Sequence, residues 1–342
     1  VSPARWPRGA SLDERLLVID PAAGSYADAH VRDLGRWLRP GDLLVVNDAA
    51  TLPASLDGKT ADGAPLEVRL LSEQAPGKWS AVLFGKGDWR TRTEDRAAPA
   101  PVSAGTVIGF GPELEATVTS VSDTSRRLVG LSFHERGAKL WGALYARGRP
   151  VQYSHLAGPL ALWHVQTAYG ARPWAAEMPS AGRPLTWDLL LDVKRAGVDV
   201  AALTHAAGLS ATGDPALDVA LPLRERYDIP QATVEAIEET RARSGRVVAV
   251  GTTVVRALEG CAFANGKLVS GEGTTDLRLD AGARLAVVDG LLTGLHDTSA
   301  SHFRLVQAFA DRALIERAYV HAEEAGYLNH EFGDSNLILR AA

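Results

Sequence analysis

A single cysteine, Cys261, stands among 342 residues, so neither an internal disulfide nor a thiolate metal cluster can form within the chain. The expectation for Cys261 is a buried, inert side chain. An excess of basic charge is also missing: 36 Lys and Arg face 41 Asp and Glu, for a net charge of −5. Any nucleic-acid partner therefore has to meet a local patch. No apolar run approaches the roughly 18 residues that a membrane-spanning helix needs, and Val1 to Arg8, with Pro3 and Pro7, carries no signal-peptide core. A cytoplasmic protein with no membrane partner is the expectation, and a monomer is compatible with it. There is no GxGxxG, Walker or nucleophile-elbow motif, and no HxxxH, HExxH or acidic cluster. Dinucleotide, NTP and serine-hydrolase chemistry thus find no motif, and no metal site is expected.

What is present is an ordinary globular balance, 46% hydrophobic and 23% charged, enough for a sizeable core. Two textures alternate. RLLVID (15–20) and LLVVN (43–47) read as strands, the second apolar throughout and so suited to burial on both faces, with a short helix over 31–38 between them. Between about 56 and 149 the chain turns to short segments bounded by Gly, Pro, Asp or Ser: LEVRLLS (66–72), KWSAVLF (78–84), GTVIGF (105–110), ELEATVTSV (113–121) and RLVGLSF (127–133). That pattern indicates a small antiparallel sandwich or barrel.

After Gly148 helix and strand alternate again. Thr186 can cap a helix through Ala196 with Gly197 as terminator. A strand is expected over 198–204, a helix over 231–244 ended by Gly245, a strand over 247–251 and a helix from about 253 to 263. Extended pieces follow at 267–270 and 277–279, then a strand over 285–288 and one long helix over 301–324. The pattern predicts an α/β fold with a mixed, largely parallel sheet and an inserted small antiparallel β-barrel-like domain. The α/β domain would comprise 1–55 and 150–342, and the inserted β domain 56–149.

Several segments could carry chemistry. In VAVGTTVVRALEG (248–260) a buried strand ends at Gly251, and Thr252 and Thr253 open a helix bearing Arg256 and Glu259. Free amides at a helix start, with two hydroxyls beside them, suit a carboxylate, phosphate or ribose. Equally, one threonine could be a plain N-cap, and Arg256 and Glu259 surface neighbours. In the run from Asp289 to Thr298, Thr293 and His296 follow a strand end, where α/β sheets place ligand crevices; an imidazole suits proton transfer near neutral pH. His205 ends a further strand. The segment from Gln152 to Trp187 holds Tyr153, Trp163, Tyr169, Trp174 and Trp187 among four prolines, a set that could line a pocket for a planar base or join two domains. Arg90, Arg92, Arg96, Arg126 and Arg127 could form a basic face for phosphates or simply a solvated one.

Residues 250–259, VGTTVVRALE, resemble the V-G-T-T-x-x-R-x-L-E motif of the S-adenosylmethionine:tRNA ribosyltransferase-isomerases of queuosine biosynthesis. Further matches run in order along nearly the whole chain. They are Gly41 to Val45 with Asn47, Pro53-Ala54, Gln166-Thr167 with Tyr169, and Pro179 to Gly182. Thr204-His205, Glu225, Asp289 with Leu291, Thr293 and His296, and Gly333-Asp334 follow. The resemblance implies an enzyme that uses S-adenosylmethionine as a ribosyl donor and substrate, with no metal or redox cofactor. A base removes a C5′ proton acidified by the sulfonium, the ylide rearranges, and adenine and methionine leave. The ribose-derived epoxycyclopentane joins an amine, in the family the aminomethyl group of a 7-deazaguanine in tRNA, giving epoxyqueuosine. The candidate base for that step is His296, an imidazole at the crevice end of the sheet that also matches the motif, with Asp289 and His205 as helpers or rivals. Gly251, Thr252, Thr253, Arg256, Glu259, Thr293, Glu225, Gln166 and Tyr169 would bind substrate.

The chain also departs from the family pattern. Asn47 to Ser55 reads NDAATLPAS and lacks both family arginines, 148–156 reads GRPVQYSHL in place of a proline-rich stretch, and PSAGRPL (179–185) lacks a histidine. A family histidine also falls on Leu223, and 293–301 keeps only part of its pattern. Two other readings therefore stand: a paralogue that joins S-adenosylmethionine to a small-molecule acceptor, and a non-catalytic nucleotide- or RNA-binding protein. Turnover without RNA would mark the first, and binding without release of adenine the second.

Overall fold

A computed structural model describes residues 1–298 and 301–340. Its backbone is a nine-stranded sheet in the order Gly271–Thr275, Glu225–Ile229, Asp199–His205, Leu43–Asn47, Val247–Val250, Gly290–Gly294, Ser335–Leu339, Arg15–Asp20, Ser25–His30. Pairing is parallel across the centre, from Asp199–His205 to Gly290–Gly294, and again between Ser335–Leu339 and Arg15–Asp20. The remaining pairs are antiparallel. The sheet is therefore mixed, as expected, with its parallel part in the middle.

The continuous apolar runs are explained by burial on both faces. Leu43, Val45, Val247, Ala249 and Leu291 enter one core cluster, while Leu44, Val46, Val248, Val250 and Leu292 enter another. Helices Gln231–Ala242, Thr252–Asn265 and Arg312–Glu324 cover the first face, and Trp187–Arg195 covers the second. The Thr186 hydroxyl accepts the Leu189 N–H at 3.3 Å, the expected cap. Cys261 is buried, its thiol donating to the Val269 carbonyl at 3.3 Å.

A closed six-stranded antiparallel barrel forms from Ser55–Thr60, Pro65–Ala75, Lys78–Phe84, Val107–Gly109, Glu115–Val121 and Leu128–Phe133. A helix, Gly137–Arg147, follows it and buries Leu140 and Leu144 in the barrel core. That core also takes in Leu52, Val151, Ala176, Leu209 and Leu217, which lie outside 56–149.

Several elements differ from the sequence reading, four of them for a clear local reason. Residues 285–288 form no strand, because the Ala286, Val287 and Val288 N–H groups donate to the Glu259 carboxylate at 2.7, 2.8 and 2.8 Å; the strand is Gly290–Gly294. The pieces at 267–270 and 277–279 flank a single strand, Gly271–Thr275, whose glycines and threonines give no apolar signal. Gly273 there lies opposite Tyr227, and an added Cβ would collide with that ring. The long helix is two, Ser301–Val306 and Arg312–Glu324, because Asp311 caps the second through the Ala313 N–H at 2.8 Å. The helix after Pro230 ends at Ala242, with Ser244 and not Gly245 in the left-handed region at φ 58°. Ser299 and Ala300, within the altered 293–301 segment, lie outside the described residues.

Candidate active site

The carboxyl ends of the central strands open into a cavity of about 730 Å³. Its floor is the junction between Val247–Val250 and Thr252–Asn265. Gly251 makes that turn at φ 94°, a conformation open to glycine and strained for other residues. Gly251 is also the N-cap, and having no side chain it leaves the helix-start amides without a side-chain cap of its own. The threonine N-cap reading is thereby set aside, and Thr252 and Thr253 both line the cavity. Asn47 fixes the neighbouring backbone: its Nδ2 donates to the His205 carbonyl at 3.0 Å and to Thr253 Oγ1 at 3.3 Å, and its Oδ1 accepts the His205 N–H at 2.9 Å.

Arg256 rises from the first turns of that helix, buried at 5% exposure, and its Nη2 lies 2.5 Å from Glu225 Oε2. Beyond this contact, Arg256 Nε has no hydrogen-bond acceptor among the described residues. Glu225 is held on its other side by the Gly208 N–H at 2.7 Å. Burial pushes the Glu225 carboxyl up and the Arg256 guanidinium down from their ordinary values, and their mutual attraction counters both shifts. A buried guanidinium with unfilled donors, beside helix-start amides, can receive a carboxylate.

His296 also lines the cavity, its Nε2 2.8 Å from Thr293 Oγ1. His302 stacks on it with ring centroids 5.1 Å apart and an interplanar angle of 16°. Burial holds the His296 imidazole well below its ordinary pKa, with His302 and His330 adding to the effect. His302 falls to about 4 through burial and the nearby Arg256. Both rings are therefore neutral at physiological pH.

Of the residues singled out from sequence, His296, Gly251, Thr252, Thr253, Arg256, Thr293 and Glu225 meet at this cavity. Five do not. Asp289 precedes Gly290–Gly294, at the opposite end of that strand from Thr293, and its Oδ2 accepts the Val247 N–H at 2.9 Å. Glu259 is committed to its three amides. Gln166 pairs with both backbone groups of Thr51 at 3.0 Å. Tyr169 is half-buried and packs against Gly182, outside the lining. His205 is fully buried behind Glu225, 3.3 Å from its carboxylate, and burial keeps it well below its ordinary pKa.

Residues that sequence reasoning missed include His302, Glu177 and His330. Glu177 accepts from Tyr153 Oη and from the Ser210 N–H at 2.9 Å, and burial raises its carboxyl. No local motif marks these three; they meet only through the fold. Of the aromatic segment, Tyr153 reaches the cavity, whereas Trp163 and Trp187 are 77% and 60% exposed and Trp174 lies under Arg172 and Arg226. The basic cluster also disperses. Arg96 is buried on Glu67 at 2.6 Å, Arg90 and Arg92 pair with Asp88 and Glu94, and Arg127 turns to the carbonyls of Arg96 and Thr212.

Comparison with known proteins agrees along the full length. The family profile described as "Queuosine biosynthesis protein" matches residues 3–338. The S-adenosylmethionine:tRNA ribosyltransferase-isomerase of Moorella thermoacetica is 36% identical over 340 residues, covering 97% of this chain and 94% of that protein. Its counterpart from Gloeobacter violaceus is 36% identical over 346 residues, covering 99% and 93%. The crystal structure of S-adenosylmethionine tRNA ribosyltransferase from Thermotoga maritima superposes with a TM-score of 0.54 at 25% identity, covering 98% of this chain and 96% of that one. With a buried strand-to-helix turn at its floor and neutral histidines on its wall, the chain belongs to the queuosine biosynthesis protein family.

Proposed function

We propose that this chain is an S-adenosylmethionine:tRNA ribosyltransferase-isomerase. In this reading it transfers and isomerises the ribosyl group of S-adenosylmethionine onto the aminomethyl-deazaguanine of tRNA, giving epoxyqueuosine and releasing adenine and methionine. The observation that carries the site assignment is the convergence of the 250–259 motif and His296 on one cavity. The methionine carboxylate of the donor pairs with Arg256, and the amides and hydroxyls of Thr252 and Thr253 hold the adjacent polar groups. His296, neutral and oriented by Thr293, takes the C5′ proton. S-adenosylmethionine is a substrate here, and the proton transfer needs no redox cofactor. Residues 1–55 with 150–342 serve as the α/β domain that holds this site, and 56–149 as the inserted β domain. In this reading the enzyme acts in the cytoplasm.

The test is to incubate the protein with S-adenosylmethionine and tRNA carrying the aminomethyl-deazaguanine, then to measure the mass of the modified nucleoside and the free adenine. Epoxyqueuosine in tRNA with matching adenine is expected. Adenine release of equal rate with RNA-free amines would move the assignment to a small-molecule acceptor, and no release with either would leave a binding protein.

A further inference from the structure

The rim of the cavity carries a group of side chains that the proposed reaction does not use. His155, from the loop after the barrel, meets His330 and Glu331, from the turn before Ser335–Leu339. One donor atom from each lies within 4.8 Å of the other two. His155 Nε2 is 3.1 Å from Glu331 Oε2, and the His155 and His330 rings stack with centroids 4.4 Å apart. The His155 and Glu331 side chains are only 15% and 22% exposed.

Both supporting segments are held in place. Leu328 N–H donates to Asp334 Oδ2 at 2.8 Å, Asp334 N–H returns to the Leu328 carbonyl at 2.8 Å, and Arg8 clamps Asp334 at 2.7 Å. His330 itself sits in the left-handed region at φ 65°, a conformation that persists in a non-glycine residue only where its surroundings enforce it. On the other side, the Ala157 N–H donates to the Arg5 carbonyl at 2.8 Å. His155 also falls in 148–156, where the chain departs from the family pattern.

We propose that His155, His330 and Glu331 bind a divalent first-row transition metal, with Zn²⁺ the best match, at the rim of the cavity. Two imidazoles and one carboxylate form a donor set that such ions take, and three protein ligands leave a further position for water or a substrate group. The metal replaces the His155–Glu331 hydrogen bond as the link between two segments some 175 residues apart in sequence. No contiguous motif announces such a site, because its donors come from distant parts of the chain.

The experiment is calorimetric titration of the metal-free full chain with Zn²⁺, paired with the thermal midpoint at each zinc level. One equivalent is expected to bind at micromolar concentration and to raise the midpoint. His155→Ala, His330→Ala and Glu331→Gln should each weaken binding by at least about 10-fold, the loss that even outer-shell changes cause, and should abolish the rise in midpoint. His164→Ala, a histidine away from the cavity, should bind as the parent does. Absence of micromolar binding in the parent chain would overturn the proposal. So would binding unchanged in all three ligand variants but lost in His296→Ala, which would place the metal on the deeper histidine pair.

Discussion

Arg256 Nη2 and Glu225 Oε2 lie 2.5 Å apart in the wall of the cavity, in a contact that leaves the guanidinium with donors to spare. Glu225 offsets the burial of the Arg256 charge, and under the proposed function the carboxylate of the donor substrate is the second acceptor. Removing a hydrogen bond to a charged group costs about 1.5–3 kcal/mol. Arg256→Ala should therefore weaken S-adenosylmethionine binding by roughly 10- to 100-fold in calorimetry. Unchanged affinity would take Arg256 out of the substrate site.

Glu259 lies three residues further along the same helix and is expected to behave in the opposite way. Its carboxylate ties down the amides of Ala286, Val287 and Val288 ahead of Gly290–Gly294. Glu259→Gln keeps the size but presents an NH2 group to at least one of these donors. A loss of stability of about 2–4 kcal/mol is expected, seen as a lower denaturation midpoint, while KM for S-adenosylmethionine stays near the parent value. A raised KM with unchanged stability would restore Glu259 to the site.

Asp289 is likewise expected to serve the fold and not the chemistry, since its carboxylate receives the Val247 N–H away from the cavity. Asp289→Asn retains an oxygen for that bond. Its rate of adenine release should match the parent's, and a large fall would return Asp289 to the set of candidate bases.

Inside the barrel, Glu67 lies between Arg69 at 2.7 Å and Arg96 at 2.6 Å. Although burial opposes its charge, the two guanidinium groups hold its pKa at about 2, against an ordinary 4.5. A carboxyl whose folded pKa is lowered stabilises the fold fully above its unfolded value and loses that contribution as pH falls toward the folded one. The parent chain should thus lose on the order of 3 kcal/mol between about pH 5 and pH 2 from this group. Denaturant titrations of parent and Glu67→Gln should converge over that interval, and a gap that persists to its acid end would contradict the assignment.

The sequence made some of this architecture legible and hid the rest, for physical reasons. Apolar runs such as 43–47 and 247–250 announce strands because both of their faces are buried. Thr186 announces a helix start because its hydroxyl has a local task. Ser55–Thr60 gave no such signal, since Asp57, Gly58 and Lys59 interrupt it and its place comes from closing the barrel. Residues 285–288 look like a strand but spend their amides on Glu259, a partner more than 25 residues away. At the site, the 250–259 motif and His296 could be found because they follow strand ends. His302 could not, because no motif links it to His296 six residues earlier and their stacking is seen only in the fold.

The most direct measurement is adenine release from S-adenosylmethionine by His296→Ala and His296→Gln, compared with the parent under saturating tRNA. Loss of a positioned general base costs about 10²–10⁴-fold in rate. Both variants should fall by that much while keeping the parent's fold and its calorimetric affinity for S-adenosylmethionine. Release at the parent rate in both would contradict the account, and His302, stacked on the same ring, would then be the base to test.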